Sequence, residues 1–447
     1  MMTKAARRAA GKNLRSRCPR AAHAEWTIRS DDAVAILSAS DEGRIEELVP
    51  VRYGRMSLSS FAFFRGTAAI QAHDLVGSPS SGIVVQLCGD CHLMNFGGFA
   101  TPERHLAFDI NDFDETFPGP FEWDVKRLGV SILLAARDRN FAEGVGEEAV
   151  RASVASYRFR IAELADRTII ERWYEGIRIE DLIDHFSVHR KTERTLLKKR
   201  RQAAKRTSES VFPKLTTIVD GRAKIMDDPP LITHEYQQRL GWEERAATVI
   251  DRYKASATAE LRQLLNRYDF EDAALKVVGV GSVGTHCYIA LFLANGEEPL
   301  FLQMKEARRS VLEPAGPKSR FAHEGERVVY GQRLMQAAGD IFLGWTELPG
   351  ERDFYVRQLR DMKISADLEK LDPRLLINYA TMCGWALARA HAKAGDADAV
   401  IGYLGRNDAF DTAIVEYTKA YAVQVESDYA AMQDAIRTGR LTADLES

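Results

Sequence analysis

QLCGDCHLMNFGGFATPERHLAFDINDFDE, residues 86–115, is the stretch on which the fold turns. It follows a turn cluster, Gly77 to Gly82, and continues the short β-type run IVVQL at 83–87. A loop-like stretch from Gly89 to Gly98 comes next, then a second short strand, LAFDI at 106–110, then a loop rich in carboxylates. Each strand therefore delivers acids and amides to its end: Asp90 and Asn95 after the first, Asp112 after the second. Loop Asp and Asn residues commonly cap turns and helices. They are also the hard oxygen ligands that Mg²⁺ prefers. Asp124 follows in GPFEWDVKRL, at the start of a helix expected over about 122–137.

A second informative stretch is KVVGVGSVGTHCYIALFL, residues 276–293, with Gly279, Gly281, Ser282 and Gly284 in a G-x-G-x-x-G pattern. A dinucleotide-binding version needs a helix directly after the third glycine. Here a β-branched and aromatic run leads instead to Asn295-Gly296, a strong hairpin signal. The third strand, PLFLQMKEA, puts Leu300, Leu302 and Met304 on one face and Phe301, Gln303 and Lys305 on the other. A lysine in an apolar strand is costly to bury alone, so Lys305 is expected to meet an anion.

These motifs resemble a protein-kinase-like site. The five-residue step from Asp90 to Asn95 is that between the base and the metal-binding Asn of a kinase catalytic loop. With His92 it resembles the HGDxHxxN loop of small-molecule kinases related to aminoglycoside and choline kinases. The resemblance implies Asp90 as general base, and Asn95 and Asp112 as Mg²⁺ ligands. It implies Gly279, Gly281, Ser282 and Gly284 as a roof over the ATP phosphates and Lys305 as their cation. His92 and Asp124 become supports of the catalytic loop. Two positions depart from the pattern: Cys88 where kinases have His, and Gln303 where they have a small apolar residue against the adenine. Glu324 and Glu326 are candidates for the acid that pairs with Lys305.

Longer segments, among them LVPVRYGRMSLSSFAFFRG, QLCGDCHLMNFGGF, FDINDFDETFPGPFEWDVKRL, FLQMKEARRSVLE and CGWALARAHAKAGD, resemble the bacterial family called domain of unknown function 2252, over about residues 17–430. Cys91, Glu326 and Ile364 depart from its usual Ala, Gln and Gly. This resemblance carries no activity of its own.

The 447 residues suit about three domain-sized units, or two lobes with insertions. Net charge is −3, which gives no reason to expect nucleic acid or an anionic membrane as partner. No apolar run approaches the roughly 18 residues of a membrane span. The basic N-terminus lacks the apolar core of a secretory signal and reads as a flexible arm. Five cysteines, an odd and sparse set, suit free thiols and a cytoplasmic protein. Cys88-x-x-Cys91-His92 matches the haem-attachment pattern but comes without an export signal. It lacks a thioredoxin-like βαβ setting and two further zinc ligands. His189–Arg206, with nine Lys/Arg and one Glu, reads as a solvated helix face with Leu196 and Leu197 on the core, because no aromatics interleave to stack bases.

The expected fold is α+β: a kinase-like two-lobe fold, circularly permuted, with a small antiparallel β lobe and a large helical lobe. Residues 1–25 form a basic flexible tail, and 26–224 the helical lobe with the catalytic and metal loops. Residues 225–365 form the glycine-loop lobe, and 366–447 the remaining helices. A long helix is expected over 235–268 and another over 373–393, the latter packed beside 83–97. The expected activity is ATP- and Mg²⁺-dependent phosphoryl transfer to a hydroxyl of a small molecule or protein. The alternative is a non-catalytic nucleotide-binding regulator. The sharpest expectation is geometric: the charged groups of Lys305 and Asp112 within about 4–10 Å of each other.

Overall fold

The computed structural model describes residues 2–186, 190–203, 207–234, 242–348, 350, 352–359 and 363–445. It is a mixed α+β structure whose sheets are antiparallel. The largest sheet has six strands in the spatial order Ile232–Thr233, Asp269–Lys276, Cys287–Ala294, Glu298–Ala307, Arg352–Gln358 and Gly344–Leu348. Its centre forms because Asn295 and Gly296 both take the positive φ (53° and 76°) of a tight hairpin. No helix follows Gly284; the chain enters Cys287–Ala294 directly, and that strand is buried along its whole length.

The period-2 reading of the third strand holds. Leu300, Leu302 and Met304 pack with Tyr288, Phe354, Val249 and Tyr253 on one face, while Phe301 packs with Ile289, Leu291 and Val211 on the other. Each such side chain removed from water contributes roughly 1.5–3 kcal/mol. Ile45, Leu48 and Val51, from the N-terminal part of the chain, join the first of these clusters.

The rest is mostly helical, built around Glu122–Asp138, Glu143–Asp166, Pro373–Ala394 and Ala409–Arg437. Glu122–Asp138 is buried on nearly every side, so its charged residues must find partners inside the protein. Pro373–Ala394 packs against Val84–Leu87, and Tyr379 donates to the carbonyls of Leu93 (3.1 Å) and Phe96 (2.9 Å).

Two small sheets bring the candidate loops together. Val84–Leu87 pairs with Phe117–Pro120 in the register Leu87↔Phe117, and Phe96–Ala100 pairs with Leu106–Ile110 in the register Phe96↔Ile110. Loop 88–95 and loop 111–116 each join one of these ribbons to the other, so ribbon pairing forces the loops to lie side by side.

Two expectations need correction. Residues 4–13, expected in a flexible tail, are the helix Lys4–Asn13, docked on Ala397–Leu404. Gly11 and Gly402 let the backbones touch: a Cβ on Gly11 would lie 2.0 Å from the Ala399 carbonyl oxygen. Arg7 and Arg8 bond the buried Asp398. The basic sequence hid a small-residue packing face. The helix expected over 235–268 is two helices, Trp242–Ser256 and Ala259–Leu265, broken where Thr258, at the N-cap position of the second, takes an extended backbone; residues 235–241 lie outside the described residues. A hairpin, Thr216–Val219 with Arg222–Ile225, was not anticipated. In the basic segment, Arg190–Ala203 is a helix, Leu196 packs on the core, and Lys199 bonds the Ser365 carbonyl. His189 and residues 204–206 lie outside the described residues. Among the described residues no helix is long and apolar enough to cross a membrane.

Candidate active site

Loop 88–95 is bound from below by one face of the helix Glu122–Asp138. Asp124 accepts from the backbone N–H of Cys88 (2.9 Å) and Gly89 (3.1 Å). Ser131 accepts from the N–H of Leu93 at 2.9 Å. Between them, Arg127 Nε donates to Asp90 Oδ1 at 2.5 Å, and its other nitrogens donate to Gln71 and the Phe64 carbonyl. Positions 124, 127 and 131 share one helical face, so this grip was readable from periodicity although Arg127 escaped notice. Gly89 is required twice over: its φ is 88°, and a Cβ there would lie 2.1 Å from the Glu115 carbonyl oxygen.

Within the loop, Asn95 Nδ2 donates to the Asp90 carbonyl at 2.6 Å. His92 accepts at Nδ1 from the Met94 N–H (3.2 Å), and burial pushes its imidazole down to about 4, so the ring is neutral. Its Nε2 lies 3.8 Å from Asp90 Oδ2. Asp124 also meets His391 Nε2 at 3.2 Å. The Cys88 and Cys91 sulfurs and an Asp124 oxygen lie within 4.8 Å of one another. The Asp124 oxygens already hold the loop, and burial pushes the Cys91 thiol up to about 11 and Cys88 well above its ordinary value. Neither sulfur is a thiolate.

The second loop meets the central strand of the large sheet. Lys305 Nζ lies 2.7 Å from Asp114 Oδ2 and 3.6 Å from Asp112 Oδ1. Tyr355, opposite Lys305 in the sheet register, donates its hydroxyl to Asp114 Oδ1 at 2.5 Å. Burial disfavours the charge on Lys305, but Asp112 and Asp114 outweigh it and raise its proton affinity well above the ordinary value. Burial would raise the Asp112 carboxyl, yet Lys305, Arg357 and Lys363 hold it below the usual carboxylate range. Asp114 is pushed up, by burial first and the Asp112 charge second. Asp112 Oδ1 is buried without a hydrogen-bond partner. The expected acid partners of Lys305 are corrected: Glu324 binds Arg327 at 2.5 Å, and Asp114 stands in that role. The motif singles out Asp112 and not Asp114, because spacing alone cannot rank two loop acids two positions apart.

Two cavities meet here. One, of 540 Å³, is lined by Lys305, Gln303, Arg357, Gln336 and Leu359. The other, of 420 Å³, is lined by Asp90, His92, Asn95, Asp114, Glu115 and several arginines. Asp112, Gly279 and Ser282 belong to both. Gly281 lines the second, with its Cα side close to the Arg65 carbonyl, and Gly284 lies against Arg44. Gly279 and Gly284 take positive φ (68° and 85°), which lets the loop fold tightly over the junction. Gln303, the discordant residue, is held by Arg357 Nε at 2.9 Å and donates to Cys287 Sγ at 3.3 Å.

The chain belongs to the family described as an uncharacterized protein conserved in bacteria (DUF2252), whose model matches residues 44–435. No curated protein and no solved structure matches it.

Proposed function

We propose that the chain is an ATP- and Mg²⁺-dependent phosphotransferase with a circularly permuted, kinase-like two-lobe fold, acting on a hydroxyl of a small molecule or protein. One observation carries this reading. Lys305, Asp112, Asn95 and Asp90, scattered over more than 200 positions, line two cavities that join at Asp112 beneath the loop at 279–284. Unrelated loop and strand residues have no reason to converge in this way.

In this reading the larger cavity takes ATP, with Lys305 against its phosphates and the glycine loop above them. The residues fit a Mg²⁺ ion. Asp112 is kept ionised and has a buried oxygen without a hydrogen bond. Asn95 commits its amide nitrogen to the Asp90 carbonyl, leaving its side-chain oxygen as a ligand. A Mg²⁺ ion held by Asp112 and Asn95 would supply positive charge against the phosphate oxygens. Asp90, pinned at Oδ1 by Arg127, lines the smaller cavity, where it orients the acceptor hydroxyl and takes its proton. The acceptor oxygen bonds to the γ-phosphorus, the bond to the bridging oxygen breaks, and ADP leaves with that electron pair. Asp124 and Ser131 hold loop 88–95 in place for this step.

The Arg127 ion pair also supports a second reading, a nucleotide-binding regulator without turnover, because it occupies one oxygen of the proposed base. Phosphoryl transfer or ATP hydrolysis by wild type, abolished in Asp90→Asn, supports the enzyme. Nucleotide binding with no turnover in either protein supports the regulator. No rise in melting temperature with millimolar ATP and Mg²⁺ or Mn²⁺ counts against both.

A further inference from the structure

The smaller cavity holds a group of arginines that the phosphotransferase reading does not use. Arg44 donates to the Ser40 and Val283 carbonyls, at 3.0 and 2.6 Å. Arg308 donates to the carbonyls of Ser40 and Glu42. Arg65 has its Nε buried without a hydrogen-bond partner, and it stands within Coulombic reach of Asp90. Neutral carbonyls orient these guanidinium groups but do not neutralise them. Arg52 is different: Asp41 holds it at 2.5 Å. Asp41 is also the carboxylate nearest Arg44, at 3.7 Å.

The acids of the same cavity are engaged elsewhere. Asp90 is held by Arg127, Asp112 faces Lys305 at 3.6 Å, Asp114 is held by Lys305 and Tyr355, and Glu306 by His286 at 3.1 Å. Glu115 accepts from the Val311 N–H at 2.7 Å, and burial raises its carboxyl to about 7. The cations repel one another: burial, then Arg52 and Arg308, lower the Arg44 proton affinity to about 9. Among the described residues no carboxylate lies within hydrogen-bonding distance of Arg44, Arg65 or Arg308, and a half-enclosed space lined by guanidinium groups so placed is matched to an external anion. The planar forks of arginine suit a phosphate best. The 420 Å³ volume is that of a small-molecule site.

We propose that the smaller cavity binds a small hydroxyl compound that already carries a phosphate, gripped by Arg44, Arg65 and Arg308, with its hydroxyl presented to Asp90. The proposal rests on the phosphotransferase reading for the role of the bound compound, but the anion site itself stands on the arginines alone.

The test is a calorimetric titration of inorganic phosphate, and of glucose 6-phosphate against glucose, into the full chain. Mg²⁺ and a non-hydrolysable ATP analogue are held at saturation so that the donor's phosphate positions are filled. Phosphate and the phosphorylated sugar should bind wild type, and glucose should not. Arg65→Gln and Arg308→Gln should each weaken phosphate by about tenfold or more while leaving nucleotide affinity nearly unchanged. Two variants are used, with circular dichroism melts, so that a folding failure in one does not decide the matter. Absence of phosphate binding, or equal binding to both variants, would overturn the proposal. So would variants that lose nucleotide instead, because the arginines would then serve the donor. Phosphate binding that needs the arginines, in a chain that binds no nucleotide, would overturn the phosphotransferase reading and the acceptor role while leaving an anion site in place.

Discussion

Lys305 and Asp114, 191 positions apart in the chain, meet at 2.7 Å inside the protein. The Lys305 side chain is only 4% exposed, so the ammonium is committed to the Asp112/Asp114 pair and could not simply turn to solvent. Truncating a buried ion pair leaves an uncompensated charge, at a cost of about 3–5 kcal/mol. Lys305→Ala should destabilise by about that amount, judged by denaturant midpoints, and abolish the stabilisation by ATP and Mg²⁺. Asp114→Asn added to Lys305→Ala should recover part of the stability, since it removes one of the two stranded carboxylates, but none of the nucleotide response. Recovery of both would show that Lys305 has only a structural role.

Asp90→Asn retains an oxygen for Arg127 and removes the proton acceptor. Turnover should fall by about 10²–10⁴-fold, with nucleotide affinity preserved. A rate within a factor of about two of wild type in initial-rate assays would take Asp90 out of the proton transfer.

Glu115 gives a prediction with a definite sign. Its carboxyl is raised from 4.5 to about 7 in the folded chain. A group that binds its proton more tightly when folded lends most stability at low pH. That contribution is lost as pH rises from the unfolded value to the folded one, and nothing further is lost above it. Glu115→Gln, neutral throughout, should match wild type near pH 4.5 and exceed it near pH 8. The gain should be on the order of 1 kcal/mol, the half-buried setting tempering the full linkage value. Urea midpoints at the two pH values decide it; a difference independent of pH would show that the proton is not the cause.

Asp109 and Arg389 form a second buried pair at 2.8 Å, one at the end of the strand leading to Asp112 and the other on the helix Pro373–Ala394. Asp109 also accepts from the Ala337 N–H, so three segments meet there. Asp109→Ala should cost about 3–5 kcal/mol. It should also weaken ATP binding, through displacement of the loop that begins at Asn111. Retained affinity at full occupancy of the folded state, measured at low temperature, would show that the loop does not depend on the pair.

Much of this site was legible in the sequence, for reasons that differ from residue to residue. Lys305 stood out because a charge in an apolar strand needs an anion. Asp90, Asn95 and Asp112 stood out because strand ends and spacing set where loop ligands emerge. Arg127 was within reach of the same reasoning, lying on one helical face with Asp124 and Ser131. Arg44, Arg65 and Arg308 were not: they come from three distant segments, and only the tertiary fold turns them toward one space. The helix Lys4–Asn13 was missed for a different reason. Its docking relies on alanines and glycines that allow backbone contact, which a search for large apolar residues overlooks. The break at Ser256–Thr258 was missed because the apolar period continues through it, although Thr258 is a fair capping signal.

The distance in sequence between Lys305 and Asp114 also has a meaning in time. A ribosome adding about 5–20 residues per second needs roughly 10–40 s to pass from one to the other. Through that interval the emerging chain carries both loop acids without the cation that will neutralise them, together with loop 88–95 and the helix whose buried Arg127 grips it. Water and counterions must hold Asp112 and Asp114 until the sheet's central strand arrives. The ribbons around the two loops can pair early. The ion pairs of Lys305 therefore form late in synthesis, and a chain interrupted before residue 305 would hold Asp112 and Asp114 without that cation.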